Sequence, residues 1–92
     1  MTAAELLTMT KLNLEIRAAN TLYDEYISNL IDAAKQMISR EGIVLTESIE
    51  DGNLVVMYAA YLYRKRAEDS PQMPRMLRYA LNNRLFSQKV GG

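Results

Sequence analysis

Apolar residues recur at intervals of three and four along much of this chain, in four separate segments. The plainest recurrence places Tyr23, Ile27, Leu30, Ile31, Ala34, Met37 and Ile38 on one face of a helix from about Leu22 to Glu41. Its ends carry matching signals. Thr21-Leu-Tyr-Asp24 is a cap pattern, and Asp24 and Glu25 stand in the first turn, where the helix dipole favours anions. Arg40 lies in the last turn, and Gly42 offers a left-handed stop. Upstream, Thr2-Ala-Ala-Glu5 has the capping-box spacing and opens a short helix from about Ala3 to Thr10. Between the two, Leu12, Leu14 and Ile16 alternate strictly, which reads as extended chain pinned to the core.

The third recurrence is denser. From Leu54 to Tyr63 every position is apolar or tyrosine, and periodicity alone does not separate buried strand from buried helix. Length and composition favour a helix from Ile49 to Ala67, capped by Ser48 and closed by Arg64-Lys65-Arg66 at the end the dipole prefers. Gly52 weakens that start, since Asp51 or Asn53 would also cap a later one. Before it, Ile43-Val44-Leu45-Thr46 is either a brief extended stretch or a loop whose side chains plug the core. After it, Ser70-Pro71-Gln72-Met73-Pro74 is a loop, with Pro74 suited to the first position of a fourth helix. Met76, Leu77, Ala80, Leu81 and Leu85 form the apolar face of that helix, which ends near Ser87 and leaves 88–92 as a frayed tail. The fold class is therefore all-α: a single domain over 1–92, a bundle of about four helices with one short, two long and one C-terminal.

Composition narrows the function. A chain of 92 residues forms one domain and buries about 64% of the surface its unfolded form exposes. Cysteine and histidine are both absent, which removes thiolate chemistry, disulfides and the imidazole base that works near neutral pH. Adjacent acids occur at Asp24-Glu25, Glu50-Asp51 and Glu68-Asp69, but neighbouring helix positions point about 100° apart and do not make facing dyads. No phosphate or calcium loop is present, so no enzyme, metal or cofactor is expected. The longest apolar run is ten residues, half of a membrane span, and a soluble cytosolic product is the default expectation.

Charge adds a further feature. Residues 1–51 hold nine acids and four bases, whereas residues 52–92 hold two acids and seven bases. Such a dipole folds flat on itself, or it lets one subunit's acidic side meet the next subunit's basic side. The dense third segment leaves a parallel choice. Either it is the central helix, flanked by the other three, or part of it meets another chain through Tyr58, Tyr61 and Tyr63. Arg64, Arg66, Arg75 and Arg78 are candidates for charge-complementary contact or for DNA phosphates. A small helical DNA-binding regulator is the alternative function, although the pI near six and the long loop before the last helix fit a helix-turn-helix reader poorly.

Four stretches together resemble the head–tail connector family of tailed phages, small helical head-completion adaptors. They are Leu14-Glu15-Ile16; Asp24-Glu25-Tyr26-Ile27 continuing to Leu30-Ile31-Asp32-Ala33-Ala34-Lys35 and Ile38; Ala59-Ala60-Tyr61-Leu62-Tyr63-Arg64-Lys65-Arg66; and Met73-Pro74-Arg75-Met76-Leu77-Arg78-Tyr79-Ala80-Leu81. The segment 42–52 departs from the family in being shorter than the extended loop of some members. The resemblance implies a structural protein of a virion or prophage with no catalytic activity, made in the bacterial host cytoplasm. It implies a homo-oligomeric ring at the head–tail interface, partnered by portal and tail-completion proteins, with non-specific DNA contact in the channel.

Overall fold

The computed structural model describes residues 1–66 and 72–91. Four helices account for most of them: α1 (Ala3–Asn13), α2 (Asp24–Arg40), α3 (Ile49–Lys65) and α4 (Arg75–Val90). No strand occurs among the described residues.

Several helix ends have a local cause. Thr2 and Glu5 form the reciprocal capping box, at 3.1 Å and 2.8 Å. The extended stretch expected after Thr10 is instead the last turn of α1, which runs on to Asn13. The Ile16 amide bonds the Lys11 carbonyl and the Glu15 amide bonds the Leu12 carbonyl, a Schellman closure with Glu15 at φ 61°. The alternation of Leu12, Leu14 and Ile16 thus falls across a helix terminus and has no strand meaning. Asp24 opens α2 without a side-chain cap, and Gly42, at φ 95°, supplies the expected stop. Ser48 Oγ accepts the Asp51 amide at 3.1 Å and starts α3 where expected. Pro74 is the residue just before α4 rather than its first member.

Helix α3 is the central element, packed against α1, α2 and α4. Its buried positions include Leu54, Val55, Val56, Tyr58, Ala59 and Ala60, more than one stripe, because neighbours lie on several sides. Leu6 of α1, Ile27, Ile31, Ala34 and Ile38 of α2, and Leu77 and Leu81 of α4 complete the core. Between α2 and α3 the chain forms an irregular strap. Ile43 plugs the core at 2% exposure, Leu45 is half-buried, and Val44 points outward. The molecule is a slab of 42 × 32 × 18 Å. In so thin a body α3 keeps an outward ridge that no helix covers, marked by exposed Asn53 and Arg64 and half-buried Met57.

Two expectations need correction, and others fall outside the described residues. The tail expected over 88–92 is helical as far as Val90. Gln88 fixes it, its amide donating to the Gly42 carbonyl at 2.8 Å and its carbonyl accepting the Val44 amide at 2.7 Å. Met76, placed on the inner face of the fourth helix, is 72% exposed. Ser70 and Pro71 of the expected loop, the Glu68-Asp69 pair, and Ala67 at the expected end of the third helix lie outside the described residues.

Candidate interaction surface

Two buried charge clusters hold the fold together and consume several side chains that looked free in the sequence. Lys11 is the first. Its ammonium donates to the carbonyls of Ala18 (3.1 Å) and Asn20 (2.7 Å) and pairs with Asp24 Oδ1 at 2.8 Å. Two of its protons are taken by carbonyls and its charge is balanced by the Asp24 carboxylate, so a cation at the edge of the core is compensated. The connection from α1 to α2 is tied down as a result.

Asp51 is the second. Its side chain is 1% exposed, and four donors converge on it: Arg84 Nε at 2.6 Å, Arg84 Nη2 at 3.1 Å, the Thr46 amide at 2.7 Å and the Thr46 hydroxyl at 2.9 Å. Arg84 also donates to the Val44 carbonyl at 3.0 Å. The hydrogen bond from Arg84 outweighs burial and holds the Asp51 carboxyl below its ordinary pKa; the same contact raises that of Arg84. Beside this cluster, Arg78 grips Glu41 with a two-pronged bond at 2.8 Å and 3.0 Å, which raises the Arg78 pKa. Both pairs join a base of the cationic half to an acid of the anionic half. The sequence dipole is thus partly folded flat.

The named aromatic and basic residues are distributed unevenly. Tyr58 is buried at 4% and stacks edge-on against Tyr61, with ring centres 5.9 Å apart; burial pushes its hydroxyl pKa up. Its area is spent on the subunit's own core and is not available to a partner surface. Tyr61 and Tyr63 are half-buried. Arg66 lies 4.2 Å from the centre of the Tyr63 ring, 5.3 Å from Tyr26 and 5.8 Å from Tyr23, a cation–π cluster at one end of the slab. Tyr23 and Tyr26 are the exposed rings there, at 38% and 37%. Arg64 donates to the Asn13 carbonyl at 3.0 Å. Of the four candidate arginines, Arg75 alone has no hydrogen-bond, ion-pair or aromatic partner among the described residues.

Two surfaces absent from the sequence reading gather many of the exposed large apolar side chains. One is the outer side of α4, where Met76 (72%), Tyr79 (55%), Phe86 (68%) and Val90 (70%) face solvent. With Asn83 they follow a three-four spacing opposite the Leu77–Leu81 face. The signal was present in the sequence, but the inner stripe and the early end assigned at Ser87 concealed it. The other is a groove between α1 and α3. Two adjoining open hollows of about 410 and 390 Å³ share Met9 and Asn53 and extend from Ile49 to Leu12 and Met57. Ile49 is 73% exposed and Leu12 67%. Only co-packing in space brings these residues together, since α1 and α3 lie far apart in the chain.

Among the described residues no three acidic, histidine or cysteine side chains gather as metal ligands, and no helix is long and apolar enough to cross a membrane. The chain matches no family model, no curated protein and no solved structure.

Proposed function

We propose that this chain is a non-catalytic assembly subunit, and specifically a head–tail connector of a tailed phage or prophage. In this role it forms an oligomeric ring between the portal of the DNA-filled head and the tail. One observation carries the reading: a small helical slab leaves two large apolar surfaces uncovered while its core is complete without them. Contiguous uncovered apolar area on a folded domain marks protein contact. The order and spacing of the four helices supports the narrower assignment, through the resemblance to connector sequences. Virion location and portal binding belong to the proposal.

The DNA-binding alternative gains nothing from the geometry. Arg64, Arg66 and Arg78 are engaged within the fold, which leaves Arg75 and Lys89 as the cations of the last helix without an ion-pair partner among the described residues. In the connector role, DNA in the channel meets at most a thin positive lining.

The test is assembly. The purified chain is mixed with portal and tail-completion proteins of its own phage or prophage and followed by light scattering and electron microscopy. Rings that join a portal to a tail component are the expected result. A chain that binds neither, or one whose main activity is salt-sensitive binding of free duplex DNA, would overturn the reading.

A further inference from the structure

We infer that the outer stripe of α4 in one copy docks into the α1–α3 groove of a second copy, giving a head-to-tail contact between identical chains. The inference deepens the assembly reading and rests on it, but it needs neither portal nor phage.

The groove is long enough to take most of the stripe. The stripe from Met76 to Val90 is one ridge of a helix, about 21 Å long at the usual 1.5 Å rise. The groove follows α1, about 16 Å of helix by the same rise, with Met1 at its N-terminal end. Such a groove takes the apolar side of a helix.

Charge selects the occupant. Helix α4 carries Arg75, Arg78, Arg84 and Lys89 and no acid. Arg78 and Arg84 are neutralised inside the subunit, whereas Arg75 and Lys89 flank the outer stripe at its two ends. The groove is acidic at its N-terminal end and of mixed charge at the other, where exposed Arg64 bonds the Asn13 carbonyl. Glu5 and Glu50 are exposed beside the N-termini of α1 and α3, and Glu15 is exposed just past the C-terminus of α1. An incoming α4 laid antiparallel to α1 sets Lys89 by Glu5, the acid that lines the groove. The helix dipoles are then opposed as well.

The rival occupant is a second α4. Met76, Tyr79, Asn83, Phe86 and Val90 hold the a and d spacing of a heptad, with one polar a position, as in a two-stranded coiled coil. That pairing sets an all-basic helix beside another. Antiparallel, it brings the Arg75 and Lys89 flanks face to face; parallel, it supplies no acid to either. Like charge opposes it and opposite charge favours the groove. A head-to-tail contact uses different surfaces on the two copies, so it continues into a ring or a filament.

The test uses two full-length variants, Phe86→Glu on the stripe and Ile49→Glu in the groove. Both positions are solvent-exposed, and circular dichroism checks that the helices remain. Sedimentation velocity of the wild-type chain is expected to show association beyond a dimer as concentration rises. Each variant alone should sediment as a monomer. Their equimolar mixture should form a one-to-one dimer and nothing larger, because one intact stripe meets one intact groove. Association of Ile49→Glu alone together with monomeric Phe86→Glu would show α4 self-pairing and overturn the inference. A wild-type chain monomeric at every concentration would overturn it too. If that chain still assembled on a portal, the connector reading would stand without this contact.

Discussion

At the scale of single residues, the Asp51–Arg84 pair matters as much as a core apolar side chain. A carboxylate 1% exposed is tolerable only because its oxygens are filled by donors from α4 and the strap. Taking Arg84 away leaves the carboxylate with Thr46 alone. Removing one partner of a buried ion pair costs about 3 to 5 kcal/mol; with Thr46 retained, Arg84→Met is expected at the lower end, about 3 kcal/mol at pH 7. The pH dependence has a definite sign. Asp51 titrates below its ordinary 3.8 in the fold, so its contribution is complete above that pH and is lost as pH falls through the folded value. The gap between wild type and Arg84→Met should therefore narrow as pH falls through the acidic range, because the folded variant, without the Arg84 bond, protonates Asp51 at a higher pH than the folded wild type, while the two unfolded chains are alike and cancel. Urea unfolding of both proteins at pH 7 and pH 3 measures it. An equal gap at both pH values would show that Arg84 acts through packing and not through the Asp51 charge.

At the scale of elements, legibility followed the reach of the signals. Caps and faces act within four residues, and so Thr2, Ser48 and Gly42 and the buried stripe Ile27, Ile31, Ala34 and Ile38 were readable from the chain. What misled was a local pattern with two physical causes. Leu12, Leu14 and Ile16 alternate because a helix ends among them, and the terminating residue is glutamate where glycine is usual. The pins that set the strap, Gln88 to Gly42 and Arg84 to Val44, join residues about forty positions apart and leave no periodic trace. The same is true of the α1–α3 groove. The end of α1 supplies its own test. Glu15 at φ 61° bears a left-handed cost of about 1 to 2 kcal/mol that glycine escapes. Glycine returns about 0.5 to 1 kcal/mol of that through the entropy of the unfolded chain. Glu15→Gly should therefore raise stability by about 0.5 kcal/mol, or about 2 to 4 °C in Tm for a domain of this size. A melt followed at 222 nm checks this, and a lowered Tm would mean that the Glu15 side chain contributes a contact outweighing the backbone cost.

At the scale of the whole molecule, stability is unevenly spread. Helices α2 and α3 share the largest common core, with four and eight buried residues respectively, whereas α4 buries Leu77 and Leu81 alone. What holds α4 is chiefly polar: the grips on Glu41 and Asp51 and the two Gln88 bonds to the strap. Hydrogen bonds with partial solvent access contribute about 1 kcal/mol each, and elements with few buried apolar contacts open at less than the global free energy. Native-state hydrogen exchange in dilute protein should accordingly find the amides of α4 exchanging well before those of α2 and α3. The proposed contact between copies adds a second expectation, because it covers the outer stripe of α4 and binds only the closed state. By mass action a contact at a hundred times its Kd stabilises that state by about 2.7 kcal/mol, which slows exchange of α4 amides by about a hundredfold as protein concentration rises. Global unfolding breaks the contact too, so the amides of α2, which exchange by it, should slow by the same factor, and α4 should still exchange first. Amides of α4 as slow in dilute protein as those of α3 would contradict the uneven spread. Fast exchange in α4 that is indifferent to concentration, in a chain that does associate, would place the contact elsewhere.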